Sequence, residues 1–265
     1  MVCRNLKKGG FDMVKVVLDA KVWKSMLSSI GDRMEDVRIV ASSDDYIEYD
    51  AALSTHYIHY KQKHDDAVKA AGNLTFSDMK RTNAFLSKSK GDVTVSELNN
   101  KLVMQNGSKK ISIPVQSCKT AQLAPTMSRL VLECETGQWR KFGRNTQLST
   151  HGKVLFSDLI DGANIAKSLS VDSEFQIKAN AEESEIVLHA YKRGGSALTC
   201  SADVEDAEGP NHTIVSSFGS WLLSALSVLD DKTLSTFHCG DAAPLIVVQS
   251  GEDWERKIVV IDQEA

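Results

Sequence analysis

The stretch Val37-Arg-Ile-Val-Ala-Ser-Ser-Asp-Asp45 has the same pattern as Phe175-Gln-Ile-Lys-Ala-Asn-Ala-Glu-Glu183, which lies 138 residues further along the chain. In both stretches apolar and polar residues alternate and then give way to a polar turn, which is typical of a half-buried strand entering a hairpin. The strands that begin at Val93 and Leu234 are 141 residues apart. An offset this constant predicts two copies of one module.

Each copy combines short alternating runs with two segments of helical spacing. The predicted fold class is therefore α+β, with two similar domains that each consist of antiparallel β-sheets and two helices. We place the domains at residues 1–117 and 136–265, with an interdomain connector at 118–135. Helices are predicted at Ala20–Ile30, with Asp19 as N-cap, and at Thr75–Lys88, Phe156–Leu169 and Ser217–Leu229. Strands are predicted at Asp12–Leu18, Asp36–Val40, Tyr46–Asp50, Thr55–Tyr60, Val93–Glu97, Lys101–Gln105, Lys109–Val115, Lys153–Leu155, Glu174–Ala179, Glu185–Ala190, Ser196–Ala202, Thr233–His238, Pro244–Gln249 and Lys257–Ile261.

The composition is that of an ordinary globular protein: of 265 residues, 42% are hydrophobic and 25% are charged. The sequence contains no run of 18 apolar residues and no signal-peptide pattern. We therefore expect a protein that is not secreted and does not contact membranes, located in the cytoplasm or nucleoid, or in the nucleus of a eukaryotic host. The five cysteines are odd in number and widely scattered, which favours reduced thiols over a disulfide framework.

The net charge of −4 is unevenly distributed along the chain. Residues 1–125 hold 19 Lys/Arg against 14 Asp/Glu, a net charge of +5, and residues 126–265 have a net charge of −9. This balance argues against a generally positive surface but allows a local basic face. The outward faces of the first two predicted helices carry Lys and Arg, and the fourth carries serines. These groups contact phosphates without reading sequence, so ordinary solvent-facing helices and a DNA-facing set are both open at this point.

The common enzyme signatures are missing from the sequence. It has no glycine-rich phosphate-binding motif, no Gly-x-Ser-x-Gly and no His-Glu-x-x-His. His56 and His59 lie three apart on a predicted strand, so they point to opposite faces and do not form a metal pair. Cys239 beside His238 is interpreted as a small buried thiol rather than a nucleophile. We therefore expect no enzyme, no cofactor and no metal.

Three stretches resemble the sliding clamps of the PCNA type (proliferating cell nuclear antigen), including archaeal and viral members. Gly72-Asn-Leu-Thr-Phe-Ser-Asp-Met-Lys80 resembles the entry to the family's second helix. Trp221–Phe237, followed by Asp241-Ala-Ala-Pro-Leu-Ile-Val-Val248, resembles its last helix and a late strand, and Gln122-Leu-Ala-Pro125 resembles its connector. The resemblance covers roughly residues 11–265. Residues 126–150 are longer than the family pattern, and the third helix carries Asp158 and Asp161, which weakens the case for a uniformly basic lining.

The resemblance implies a ring homotrimer that encircles double-stranded DNA without reading its sequence. Such a ring acts as a processivity factor for a DNA polymerase, binds other enzymes with clamp-binding motifs and is opened by a clamp loader. The alternatives are a subunit of a heteromeric clamp, and a non-clamp β-rich enzyme or structural protein. The residues that the resemblance implies for DNA are Lys21, Lys24, Lys80, Arg81, Lys88 and Lys167. Those implied for the partner-binding pocket are Ala52, His56, Gln122, Leu123, Pro125, Pro244, Val259 and Ile261. Those implied for the subunit interface are Lys109, Ile111, Ile113, Ala197 and Thr199.

Overall fold

The computed structural model describes residues 13–28, 30, 34–134, 138–141, 144–171, 174–192 and 194–263. The described helices are α1 (Ala20–Ser28), α2 (Met79–Ser87), α3 (Lys119–Cys134), α4 (Ser157–Ser168) and α5 (Trp221–Leu226). The strands before α3 are β1 (Val14–Asp19), β2 (Val37–Ala41), β3 (Tyr46–Ala52), β4 (His56–Lys63), β5 (Val68–Ala70), β6 (Gly72–Phe76), β7 (Asp92–Leu98), β8 (Lys101–Asn106) and β9 (Lys109–Pro114). Those after it are β10 (Gln138–Lys141), β11 (Arg144–Gln147), β12 (Thr150–Val154), β13 (Glu174–Asn180), β14 (Glu185–Tyr191), β15 (Ala197–Asp203), β16 (Glu205–Glu208), β17 (Ile214–Gly219), β18 (Ser235–Cys239), β19 (Leu245–Ser250) and β20 (Trp254–Val260).

The chain divides into two compact units. The first consists of residues 1–27, 35–48 and 63–118, and the second of residues 28–34, 49–62 and 119–265, so β3 and β4 are divided between them. In the first unit an antiparallel sheet has the order β5-β1-β7-β8-β9, and β2 pairs with β6. Alternate residues of β1 and β7 are buried, including Val16, Val93 and Val95. Trp23 of α1 and Phe76 of β6 complete this core, with ring centroids 5.8 Å apart.

In the second unit, antiparallel pairing continues from β16 through β12, β18, β19 and β20 to β4. A separate sheet has the order β15-β14-β13-β17, and β10 pairs with β11. Helix α4 packs on β14 and β15. The contact is close, because a Cβ atom at Gly162 would lie 2.1 Å from Sγ of Cys200. Leu159, Ala163 and Ala166 give α4 its buried face.

The predicted duplication is confirmed by the strand pairing. The order β5-β1-β7-β8-β9 of the first sheet recurs as β16-β12-β18-β19-β20, with a helix after β1 and after β12. Likewise β2 pairs with β6, and β13 pairs with β17 in the same sense. The backbone bond from Ser42 N to Tyr46 O closes the β2–β3 hairpin, and that from Leu53 N to His56 O closes the β3–β4 hairpin. These hairpins correspond to the β13–β14–β15 meander.

Two predicted helices begin later than the sequence pattern indicated. Thr75 and Phe76 belong to β6, because the Asp78 carboxylate accepts the N–H of Arg81 and fixes the start of α2. The serine face predicted for the fourth helix comprised Ser216, Ser217, Ser220, Ser224 and Ser227. Its first two members lie in β17, so that part of the prediction is wrong. Ser224 lies in α5, and Ser220 and Ser227 are at its ends. The chain turns at Gly219, where the Trp221 ring occupies the space of a Cβ atom. In the first strand and first helix, Asp12 and Ser29 lie outside the described residues.

Across the part of the chain that the structure describes, no helix is long and apolar enough to cross a membrane.

Candidate DNA-facing, partner-binding and subunit surfaces

Helix α1 presents Lys21 and Lys24 to solvent because its opposite face is anchored in the core. The Asp19 carboxylate accepts the N–H of Lys21 at 2.7 Å, as the N-cap prediction required. Nε1 of Trp23 donates to the carbonyl of Val93 at 3.1 Å, and Trp23 is fully buried. The two lysines lie three residues apart on an exposed face, with no acidic residue in the helix.

Helix α2 presents a second basic surface in the same unit. Thr82 and Leu86 are its buried residues, and Lys80, Arg81 and Lys88 are exposed. Arg81 also contacts the carboxylate of Asp78 at 3.3 Å, which offsets part of its charge.

Helices α4 and α5 of the second unit are less basic than α1 and α2. Exposed Lys167 of α4 is accompanied by exposed Asp158 and Asp161 on the same helix, and α5 carries no charged residue. Among the four helices predicted from the sequence, the positive surface is therefore concentrated on α1 and α2; α3 carries exposed Lys119 and Arg129. Charge on these helices can attract a phosphate backbone without sequence discrimination.

Helix α3 covers an apolar cluster on one face of the second unit's sheet. The cluster, called the α3 cluster below, contains Ala52, Tyr57, Ala124, Met127, Leu148, Ala243, Ile246 and Val259, with Leu123, Val248 and Ile261 at its margin. The hydroxyl of Thr120 accepts the backbone N–H of Ala52 at 3.0 Å and fixes the first turn of α3 against β3.

The residues proposed for the partner pocket occupy three different environments. Ala52, Leu123, Val259 and Ile261 are in the α3 cluster. Gln122 and Pro125 are exposed on α3. His56 and Pro244 are buried, and Nδ1 of His56 lies 3.1 Å from the Thr55 hydroxyl. Of these residues, Ala52 and Val259 are therefore buried in the cluster that α3 covers, and Ile261 lies at its margin.

Sequence reasoning missed Tyr57, Met127 and Ile246 as members of this cluster. One signal for Ile246 was present in β19, whose Leu245-Ile-Val-Val run is apolar at consecutive positions. A strand that is apolar on both faces is covered on both faces. Met127 was missed because Pro125 argues against a helix.

Polar groups beside the α3 cluster are hydrogen-bonded. One oxygen of the Asp50 carboxylate accepts the Tyr57 hydroxyl at 2.6 Å and lies 2.9 Å from Nδ1 of His59. On the same sheet, the rings of His151 and His238 stack at 5.7 Å. Burial, aided by the charge of His151, lowers the pKa of His238 to about 4. Among the described residues, no group of three potential metal ligands comes together.

Cys239 is fully buried, and burial raises the pKa of its thiol far above the usual range. The side chain is therefore a neutral thiol at physiological pH, which agrees with its interpretation as a core residue rather than a nucleophile.

Strands β9 and β15 form sheet edges. In the described part of the chain, β9 pairs only with β8, and β15 pairs only with β14. Lys109 is exposed, Ile111 is half-buried and Ile113 is buried on β9. Ala197 and Thr199 are exposed on β15. Each of these two strands therefore has outward backbone groups that no described strand pairs with; on β9 the last of these, the Pro114 carbonyl, accepts the Ser77 hydroxyl at 3.1 Å.

The sequence matches no protein-family model and no curated protein. The structure, in contrast, is similar to solved clamp structures. PCNA from Thermococcus kodakaraensis superposes with a TM-score of 0.63 at 13% identity, over 94% of this chain and 100% of that chain. A. fulgidus PCNA, solved with the C-terminal region of FEN-1, gives a TM-score of 0.61 at 13% identity, over 94% and 98%. The beta chain of DNA polymerase III from Streptococcus pneumoniae gives 0.67 at 14% identity, over 98% of this chain and 67% of that one. The duplicated module, its sheet order and these superpositions together identify the fold of this chain as the two-domain DNA-clamp fold.

Proposed function

We propose that this protein is a DNA sliding clamp: a ring-shaped processivity factor, without enzymatic activity, that encircles duplex DNA and tethers replication and repair enzymes. The observation that carries the proposal is the pairing of β20 with β4. These strands correspond, in the duplicated module, to the unpaired edge strands β9 and β15. The pairing made once within the chain can therefore be repeated between chains, and a repeated heterologous contact with a closing rotation builds a ring.

The edge strands have backbone groups in the right phase for this pairing. Val115 N donates to Asn100 O, so alternation along β9 leaves the N–H and C=O groups of Lys110 and Ser112 pointing outward. Val204 N donates to Ser184 O, so the outward residues of β15 include Ala197 and Thr199. Pro114 occupies the next outward position of β9, where its missing N–H costs no bond to β8.

The internal pairing also predicts the register between chains. Ile258 lies opposite Ile58 in the β20–β4 pair. When the two copies of the module are matched strand by strand, Ile111 of β9 corresponds to Ile258 and Leu198 of β15 corresponds to Ile58. The same register between chains therefore places Ile111 of one chain opposite Leu198 of the next. Ser112 then lies opposite Ala197, and Lys110 opposite Thr199. In each opposed pair, the backbone N–H and C=O groups of both residues point towards the neighbouring chain, or those of both point away from it. The register therefore lets the backbone hydrogen bonds form and keeps side chains of the same sheet face next to one another.

Charge favours the same contact. In this register Lys109 lies opposite Cys200. Helix α4 packs on β15 and carries exposed Asp158 and Asp161, so we expect acidic side chains near the place where Lys109 of the neighbouring chain would lie. Complementary charge of this kind favours head-to-tail association.

The proposed DNA contacts are the exposed cations of the helices, chiefly Lys21, Lys24, Lys80, Arg81 and Lys88, with Lys167 contributing less. Encirclement makes retention independent of tight contacts, so the acidic net charge of −4 is compatible with this function. The protein would act where DNA is replicated, in the cytoplasm or nucleoid, or in the nucleus of a eukaryotic host. We retain the domain boundaries proposed from the sequence.

The proposed partners are enzymes that dock through short segments. A. fulgidus PCNA was solved with the C-terminal region of FEN-1, and the Helicobacter pylori beta clamp with a DNA ligase peptide. We propose that the docking surface of this chain is the α3 cluster with its neighbouring pocket residues. We propose a polymerase, repair enzymes and a clamp loader as its ligands.

Absolute mass by light scattering during size exclusion, at low and moderate salt, tests the proposal. Three chains of 29.1 kDa give about 87 kDa. The trimer should then be retained on closed circular duplex DNA and should slide off the linear form. A stable 29 kDa monomer would contradict the homotrimer. In that case a heteromeric ring becomes the better proposal; a complex of two different chains, PCNA2 and PCNA3, has been solved from Sulfolobus tokodaii.

A further inference from the structure

Two histidines and a carboxylate form a row across one face of the second unit's sheet. His151 of β12 lies directly opposite His238 of β18, and on its other side it lies directly opposite Glu208 of β16. Side chains at directly opposed positions project to the same face of a sheet, with Cβ atoms about 5 Å apart. The two histidines are far apart in the sequence, so only the strand order β16-β12-β18 brings them together.

The spacing of the two rings is close to that of two imidazoles bound to one metal ion. The ring centroids of His151 and His238 are 5.7 Å apart, and the ring planes make an angle of 24°. Two imidazoles on one tetrahedral zinc ion, with metal–nitrogen bonds of about 2.05 Å, have centroids about 5 Å apart. A small rotation of the side chains is therefore enough for both rings to reach one ion, and the backbone can stay where it is.

The ring of His238 has no hydrogen-bond partner among the described residues, and its ring contact is with His151. It is nevertheless half-buried. A polar group that is withdrawn from water without a protein partner calls for an explanation, such as a bound water or ion. Partial burial also favours the uncharged imidazole, which is the form that binds a metal.

The surroundings of the pair suit a cation. The Glu208 carboxylate lies 3.4 Å from Nε2 of His151, and a metal-bound histidine commonly has a carboxylate on its other ring nitrogen. The Asp206 carboxylate, 2.7 Å from Nζ of Lys153, offsets the charge of that lysine. The side chains of His151 and Glu208 are 43% and 75% exposed, so an ion can reach the pair from solvent.

We propose that His151 and His238 bind a divalent transition-metal ion such as zinc, with Glu208 orienting His151 and water filling the remaining positions. Imidazole nitrogen suits zinc, nickel and copper, whereas magnesium prefers oxygen. Two protein ligands agree with the finding that no group of three comes together among the described residues, and they predict an exchangeable ion. The ion would connect β12 to β18. This inference goes beyond the proposed function and does not depend on it.

Calorimetric titration of Zn²⁺ into the untagged full-length protein, at neutral pH and with the thiols kept reduced, tests the proposal. The wild-type site should have a Kd of about 10 μM, since two ligands supply about half of the binding free energy of a four-ligand zinc site. Because cysteine thiols also bind zinc, the comparison between variants is decisive. His151→Gln should weaken this site at least tenfold, and Glu208→Gln about tenfold. His212→Gln is the matched control: His212 also faces a carboxylate, that of Asp241 at 3.6 Å, but lies opposite no histidine.

Equal zinc affinity in His151→Gln and His212→Gln would overturn the proposal, as would a wild-type protein that binds no zinc at millimolar concentration. Nuclear magnetic resonance of the histidine rings gives a second answer that needs no variant. On addition of Zn²⁺, the ring signals of His151 and His238 should shift together, whereas Mg²⁺ should leave both unchanged. A shift confined to one of the two rings, or to neither, would overturn the paired site. Neither measurement uses DNA or ring assembly, so this inference and the proposed function fail independently.

Discussion

Replacing Ser112 with proline tests the proposed subunit interface at one backbone group. The N–H of Ser112 points away from β8, so the substitution removes no hydrogen bond within the chain. Ile111 already has the extended conformation that a residue before proline requires. Pro114 shows that β9 accepts proline at an outward position.

The substitution is expected to weaken the association of subunits. In the proposed register the Ser112 N–H donates to the Ala197 carbonyl of the next chain, and the variant leaves that acceptor without its partner. A lost hydrogen bond with a stranded group costs about 2 kcal/mol, which weakens each interface about 30-fold. A closed trimer contains this contact three times, so its assembly loses about 6 kcal/mol.

The assay is mass against protein concentration by light scattering, with thermal unfolding to show that the monomer remains folded. Ser112→Ala retains the N–H and is the control, which should assemble like wild type. The reasoning is refuted if folded Ser112→Pro has the same dissociation midpoint as Ser112→Ala.

Three further predictions concern the register, DNA contact and pH. Lys109→Cys should form a disulfide with Cys200 of the next chain under oxidising conditions and give crosslinked dimers and trimers on a non-reducing gel. Lys110→Cys, whose side chain lies on the opposite face of the sheet, should not crosslink. Equal crosslinking of both variants would contradict the register. Lys24→Ala should reduce the slope of log affinity for duplex DNA against log salt by up to about 3 in a trimer, at roughly 0.9 per lost phosphate contact; an unchanged slope would remove this residue from the DNA-facing set. His238 has a pKa near 4 in the folded chain and about 6.5 unfolded, so the unfolded state binds more protons between these values and stability falls as pH falls through this range. The wild-type protein should therefore lose more unfolding free energy between pH 7 and pH 4 than His238→Gln does. After allowance for the partial exposure of the ring, the difference should be about 2 kcal/mol by urea denaturation. An equal loss in both proteins would exclude His238 as the cause.

The long alternating strands were predictable because one face of each is buried and the other is not. The ends of β6 and β17 were instead predicted as the first residues of helices. In both strands the last apolar residues are continuous in sequence with the apolar residues of the following helix. In β6 only the capping contact of Asp78 separates the two elements, and in β17 the separation depends on the Trp221 ring packing on Gly219. Both are tertiary or capping effects that override a local period.

Some of the candidate surfaces could be predicted from the sequence and others could not. Exposed charges such as Lys24 and Lys80 follow from helical periodicity, because an amphipathic helix fixes which side chains face away from the core. The α3 cluster does not, since it joins residues from β3, β4, β19 and β20 that only the sheet order brings together. The helical state of α3 was likewise not predictable, because Pro125 lowers local helix propensity and packing on the sheet compensates for it.

The pairing of β4 with β20 gives the proposed ring two kinds of seam. Within each chain the seam has seven opposed residue pairs and continues through the bond from Ile261 N to Thr55 O, and its two strands are covalently connected. Between chains, Pro114 ends the row of donors, which leaves Lys110 and Ser112 as the outward-pairing residues of β9. Mechanical strain on the proposed ring would therefore separate subunits before it separates β4 from β20. In the proposed homotrimer a loader would have three equivalent places to open the ring, each at the junction of β9 with β15.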